Sequence, residues 1–308
     1  MRKVFKNPEL EAQFQKDGYV IIPFLSDEEV ASLKERYFET LPNSGGLIGA
    51  DDAGIKDQVT YDFTFIDKNI DYKRSVYDLI TSRFAKHVDE YLDNYRPIIA
   101  NFIRKKSKDG EVPLHQNWAF VDETKCTSVS IWCPLVDSNE ANGTLQVVPG
   151  THKKYGVNRG PMVPWELENI KHEIIDRFLV PMNVKAGQAV VLDDSLVHYS
   201  AINKTDDLRL AIQLILMPAE EKSIHYHMNP QKSTTSIDVL EVDVDFYMEF
   251  NPWKQPENVK VLRTIPFKSH NMRVKEFENK IYGPKIDDEG YAPEIQPTFF
   301  EKIKAVFS

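Results

Sequence analysis

The sequence predicts a mainly β fold flanked by helices, and three observations carry the prediction. From Pro97 to Met217, short β-rich runs alternate with turn residues, the texture of an all-β sandwich or barrel. Before that stretch, apolar residues recur at helical spacing. No Gly/Ser-rich linker, internal repeat or low-complexity block interrupts the 308 residues. A single domain is therefore expected over 1–308, with helices in 1–96, a β core over about 97–218 and an extension over 219–308.

Taken in order, Asn7 followed by Pro8 marks a helix cap and first turn, opening a short helix with Leu10 and Phe14 on one side. The β-rich run YVIIPFL (19–25) stops at Ser26, which forms a capping box with Glu29. The helix it starts carries Val30, Leu33, Tyr37, Phe38 and Leu41. Residues 42–58 read as a loop, after which helical spacing returns over 73–94 through Val76, Ile80, Phe84 and Val88. Core strands are expected at IIANFIRK (98–105), LHQNWAFV (114–121), SVSIWCPL (128–135), TLQVVP (144–149), QAVVLDD (188–194) and RLAIQLILM (209–217). Turn signals such as Lys108-Asp109-Gly110 and Asn142-Gly143 separate them, and a mixed insertion occupies 153–180. After Pro218, DVLEVDVDFYMEF (238–250) contains an alternating stretch, and TFFEKIKAVF (298–307) has the spacing of an amphipathic helix.

Composition narrows the function classes. With 38 basic and 47 acidic residues the chain has a formal charge of −9, and 42% of it is hydrophobic. That describes a soluble folded protein without the basic surface that general nucleic-acid binding requires. Cys126 and Cys133 match neither a CxxC pair nor a zinc ribbon, and buried free thiols are expected. No run of eighteen apolar residues suggests a membrane span, and MRKVFKNPELEAQFQKDGYV lacks the apolar stretch of a signal peptide. The expectation is a cytoplasmic protein acting on a small molecule, with no membrane or nucleic-acid partner; its oligomeric state is not legible.

The eight histidines become informative only by position. His115 and Asn117 stand two apart on an expected strand, so they would share a face, and His198 follows QAVVLDDSLV near the end of another. Two imidazoles and one oxygen ligand on a barrel rim make the facial set used by non-haem iron(II), which leaves positions open for chemistry. Alone, H-x-N is a weak signal, and two ordinary core or surface histidines are the better reading of it. Arg209, eleven residues after His198, opens an apolar strand where a guanidinium needs an anion. A dicarboxylate cosubstrate would supply one; so would Asp206 or Asp207 in the preceding turn.

Four stretches together resemble the phytanoyl-CoA dioxygenase family of iron(II)/2-oxoglutarate-dependent oxygenases: DGYVIIPFLSDEEVASLK (17–34), PLHQNWAF (113–120), SVSIWCPLVDSNEANGTLQVVPGTHKK (128–154) and VKAGQAVVLDDSLVHYSAINKTDDLRLAIQ (184–213). The resemblance covers most of residues 15–220 and implies a double-stranded β-helix, or jelly roll, in which His115 and His198 hold iron. It further implies that Arg209 pairs with the distal carboxylate of 2-oxoglutarate, that Ser200 assists it, and that Trp132 lies close to that cosubstrate. His152, in a stretch that is mainly structural in the family, is not expected to be a ligand. The family's reaction consumes O2 and 2-oxoglutarate, releases succinate and usually hydroxylates a C–H bond.

At one position the sequence departs from the family. H-x-D has become His115-Gln116-Asn117, so a neutral amide replaces an anionic ligand and should bind iron more weakly. As a substitute carboxylate, Asp122 has the wrong parity on an extended strand. Glu123 has the right parity but would lie about 20 Å from Asn117. Asp193 and Asp194 could approach, although aspartates in such a turn normally serve the turn. Asn117 as a poor third ligand ranks first. The function expected is an oxygenase acting on a C–H bond of a small organic substrate; the alternatives are a silent binding protein on the same fold or a halogenase-type variant. His225 and His227 are expected at a substrate pocket or the surface, and Glu241, Asp243 and Asp245 on the solvated face of an edge strand.

Overall fold

The computed structural model of the protein describes residues 2–48, 61–252 and 254–283. The expected helix at 298–307 and residues 49–58 of the expected loop lie outside them. The chain divides into two compact units, residues 1–271 and 272–308.

In the first unit, α1 (Pro8–Asp17) is capped by the Asn7 side chain, which accepts from the amides of Glu9 and Leu10. It leads into β1 (Tyr19–Pro23) and then α2 (Asp27–Thr40), whose capping box pairs Ser26 with Glu29 in both directions. After β2 (Asp62–Phe63) comes α3 (Ile70–Tyr91). The strands that follow are β3 (Tyr95–Lys105), β4 (Val112–His115), β5 (Val129–Pro134) and β6 (Gln146–Val147). α4 (Lys171–Arg177) precedes β7 (Val180–Pro181), β8 (Gln188–Asp193), β9 (His198–Ser200) and β10 (Arg209–Pro218). β11 (Ile224–His227), β12 (Ser236–Glu241), α5 (Val244–Glu249) and β13 (Lys260–Pro266) complete it. The second unit contributes α6 (Val274–Tyr282).

All strand pairings are antiparallel among the described residues. Six strands form one sheet in the order β1-β8-β5-β10-β3-β2, and four form a second in the order β4-β9-β6-β7. Side chains alternate across the larger sheet. Leu210, Ile212, Leu214 and Leu216 of β10 and Val129, Ile131 and Cys133 of β5 pack on one face with Val30, Leu33, Val76, Ile80, Phe84 and Val88 of α2 and α3. The other set, including Arg209, Gln213 and Ile215 of β10, Asn101 of β3 and Trp132 of β5, lines a cavity that also meets His115 and His198 of the smaller sheet. With both faces covered, β10 is apolar almost throughout rather than alternating, which is why RLAIQLILM reads as a continuous hydrophobic run. Cys126 and Cys133 are free and buried.

Three sequence expectations are corrected here. The strand expected over 114–121 ends at His115, so Asn117 lies on a loop and the shared-face argument fails. The alternating stretch 238–250 splits into a strand and a helix: Glu241 ends β12, which is the central strand of the sheet β11-β12-β13, Asp243 caps α5 and Asp245 lies within it. The two aspartates are exposed at the start of that helix, and the half-buried Glu241 pairs with Lys222 and Lys260, so no edge-strand face is involved. Of the two places expected for His225 and His227 the surface is excluded, since both are buried on β11, where His225 packs against Trp118, Tyr247 and Phe250.

Candidate active site

The antiparallel register between β4 and β9 sets His115 opposite His198, with ring centroids 4.1 Å apart. His115 Nδ1 lies 2.7 Å from the Pro113 carbonyl and His198 Nδ1 2.8 Å from the Leu196 carbonyl. A carbonyl oxygen cannot donate, so each Nδ1 carries the proton and each neutral ring keeps its lone pair on Nε2. Burial holds both imidazoles below their usual pKa, that of His198 well below, with the His115 ring adding to the effect on His198. Neutral rings, each steered by a backbone carbonyl, are the state a metal ligand requires.

Asn117 completes the group from its loop, within hydrogen-bond reach of the His115 ring. Its Nδ2 donates to Asp194 Oδ1 at 2.8 Å and to Ser130 Oγ at 3.0 Å. The loop is fixed on either side of it. Gln116 donates to the carbonyls of Tyr155 and Ser195 and accepts from Trp165 Nε1. Arg159 donates through Nε to the Asn117 carbonyl at 2.7 Å while both its terminal nitrogens grip the Glu123 carboxylate, all of it buried. Glu123 therefore folds back near Asn117 instead of extending away, but its charge is taken by Arg159. Burial pushes the Asp194 carboxyl up to about 7 against the hydrogen bonds it accepts from Ser130 and Asn117.

The other end of the cavity is cationic. Arg209 is 1% exposed; its Nη2 donates to the Gly143 carbonyl at 2.9 Å and to Ser200 Oγ at 3.1 Å, and its guanidinium lies 5.5 Å from the Trp132 ring centre. Its Nε and Nη1 have no partner among the described residues, so the expected alternative of a pair with Asp206 or Asp207 is not what forms. Gly143 can come this close to the strand because it lacks a side chain: it has φ of +71°, and a Cβ there would sit 2.3 Å from the Ala201 carbonyl oxygen. Directly across the ladder from Arg209 stands Lys105, wholly buried, whose Nζ donates to the carbonyls of Ser200 at 3.0 Å and Ala201 at 2.6 Å and to the Ser200 hydroxyl. Burial and then the neighbouring Arg209 push the Lys105 ammonium down to about 6, and burial lowers Arg209 to about 9.

The structure thus brings His115, Asn117 and His198 together at one end of a cavity of about 300 Å³ and Arg209, Ser200 and Trp132 at the other. His152 stands apart, with its Nε2 3.1 Å from the Gln15 carbonyl. Sequence reasoning missed Lys105, Gln116, Arg159 and Gly143. Only Lys105 left a usable trace: counting by twos along IIANFIRK puts it on the face of Ile99, Asn101 and Ile103.

The family model for phytanoyl-CoA dioxygenase matches residues 14–211. Over 180 residues the chain is 29% identical to a phytanoyl-CoA dioxygenase domain-containing protein 1 homolog of Dictyostelium discoideum, a match covering 55% of this chain and 60% of that protein. The matched stretch is thus under two thirds of that relative's length. Among solved structures, the chain is similar to the non-heme alpha ketoglutarate dependent epimerase SnoN from nogalamycin biosynthesis, with TM-score 0.53 and 20% identity over 85% of this chain and 92% of that one. It is also similar to EctD from S. alaskensis with bound Fe, with TM-score 0.51 and 22% identity over 71% and 79%. At these identities the likeness is one of fold, the double-stranded β-helix. The chain belongs to the phytanoyl-CoA dioxygenase family.

Proposed function

We propose that the protein is an iron(II)- and 2-oxoglutarate-dependent oxygenase that hydroxylates a C–H bond of a small organic substrate. In this reading His115, Asn117 and His198 are the metal ligands, Arg209, Ser200 and Trp132 hold the cosubstrate, and Lys105 supports Ser200 from behind. One observation carries it: a single cavity is lined both by two neutral imidazoles with free Nε2 lone pairs and by the buried Arg209, whose Nε and Nη1 have no partner among the described residues. Two imidazoles and an amide oxygen fit a divalent metal with positions left open. The unpartnered guanidinium nitrogens fit an incoming carboxylate. SnoN and EctD, whose names or contents include alpha ketoglutarate or iron, agree with that pairing.

When bound, iron with 2-oxoglutarate supplies the activation of O2: one oxygen atom enters succinate as CO2 leaves, and the other enters the substrate as hydroxyl. The chain's own residues do the rest. The carbonyls of Pro113 and Leu196 keep both rings oriented and their Nε2 atoms unprotonated. Arg209 binds the distal carboxylate, and Lys105 behind it fixes Ser200, whose hydroxyl accepts from both cationic side chains. Phe63, Phe65, Ile66, Trp118, Phe120 and Ile215 wall the remaining space, exclude water and favour a largely apolar substrate.

The test is succinate release from 2-oxoglutarate with iron(II) and O2, alongside metal analysis, for the wild type and His198→Ala. Metal retention and succinate in the wild type, both lost in His198→Ala, are expected. A chain that binds neither metal nor 2-oxoglutarate contradicts the reading. Binding of both with no succinate identifies a silent binding protein, which the neutral Asn117 favours as the second reading.

A further inference from the structure

An asparagine amide has a donor end and an acceptor end of nearly equal size, and what it faces decides which end meets a metal. Asn117 faces Asp194 Oδ1, the oxygen that also accepts from the Ser130 hydroxyl, so the NH2 group points there, at 2.8 Å. Ser130 Oγ accepts from the same NH2 group at 3.0 Å and donates to Asp194 Oδ1 at 2.7 Å, closing a three-membered network. With both N–H groups engaged, Oδ1 is left on the His115 side. Ser130 lies within β5 and Asp194 directly follows β8, neighbouring strands of the larger sheet, and both are fully buried. The network therefore ties a loop residue to two paired, buried strands of the larger sheet.

The turn itself does not need the Asp194 side chain. Asp193 serves it, accepting from the Ser195 amide at 2.8 Å and the Ser195 hydroxyl at 2.6 Å. Asp194 is left to face Asn117. Resting on the metal site proposed above, we propose that Asp194 is the positioning residue that turns the Asn117 oxygen toward the two histidines and stations a carboxylate one hydrogen bond behind it. The carboxylate that an H-x-D motif places on the metal is thereby moved one shell out, and the amide it polarises becomes the ligand.

Cobalt(II) binding without oxygen, measured by calorimetry together with thermal unfolding, tests this in wild type, Asp194→Asn, Asn117→Asp and the double variant. Asp194→Asn should bind cobalt about 10- to 100-fold more weakly than the wild type. Asn117→Asp alone should gain little, because two carboxylates then face each other with no N–H between them. The double variant, which exchanges the two groups, should recover wild-type affinity or better, so the substitutions are strongly non-additive. An unchanged affinity in Asp194→Asn, or simple additivity, overturns the proposal. If Asp194→Asn unfolds, the double variant decides: recovery of fold and affinity supports the exchange, and no recovery contradicts it. A wild type that binds no cobalt sinks the metal site itself; a wild type that binds while Asp194→Asn matches it sinks only the role of Asp194.

Discussion

The two ends of the cavity are built on opposite principles. At the histidine end every group that orients the site has a partner inside the protein: carbonyls for the imidazoles, Gln116 and Arg159 for the loop, Asp194 and Ser130 for the amide. At the other end Lys105 and Arg209 face each other across a ladder, and among the described residues their hydrogen-bond partners are carbonyls and a hydroxyl rather than a carboxylate, with an aromatic ring beside Arg209. Like charges opposite each other on adjacent strands are unfavourable, and burial raises the cost. The first end is rigid before any ligand arrives; the second stores a positive charge that only an anion can compensate. Substitutions should therefore act in opposite senses, costing stability at one end and binding at the other.

The largest effect is expected at Arg159. Replacing it with Met strips Glu123 of its partner and the Asn117 carbonyl of its donor, and should destabilise the protein by about 3–5 kcal/mol in thermal unfolding. No change in Tm would show that the loop is held by something else. At the opposite end Arg209→Met should raise the Tm of the ligand-free protein by about 2 °C or more, because a buried unpaired cation is removed. The same variant should bind 2-oxoglutarate about 100-fold more weakly by calorimetry. A lower Tm with unchanged affinity would place the two ends in the same class.

A smaller, pH-dependent effect belongs to Lys105. Its ammonium is lowered from 10.5 to about 6 by burial first and Arg209 second. Between those values the unfolded chain binds a proton that the folded chain lacks, so stability of the cosubstrate-free protein rises with pH across that window. A dicarboxylate bound to Arg209, directly across the ladder, favours the ammonium form of Lys105 and so takes up a proton there. Affinity for 2-oxoglutarate should fall about tenfold per pH unit at most as pH rises above about 6, and Lys105→Met should flatten that slope. A titration with the same slope in both proteins would remove Lys105 from the site.

Much of this was legible in the sequence, for identifiable reasons. Capping residues such as Asn7 and Ser26 act locally, so both helix starts were readable. β10 and β8 were found because burial on both faces leaves unbroken apolar runs. His115 and Asn117 were paired on the wrong ground, since a two-residue period presumes a strand and the strand stops at His115. The 20 Å estimate for Glu123 failed for the same reason: the chain folds back and Arg159 meets it. Lys105 could not be joined to Arg209 without the β3–β10 register, and no local signal tells which of Asp193 and Asp194 turns toward Asn117.

The central claim, one cavity with a metal end and a carboxylate end, is tested most directly by a crystal structure of the protein grown with manganese(II) and 2-oxoglutarate in the absence of oxygen. The account predicts the metal on the Nε2 atoms of His115 and His198 and on Asn117 Oδ1, with the distal carboxylate against Arg209. Metal bound elsewhere, or a dicarboxylate that leaves Arg209 without an anion, would contradict it.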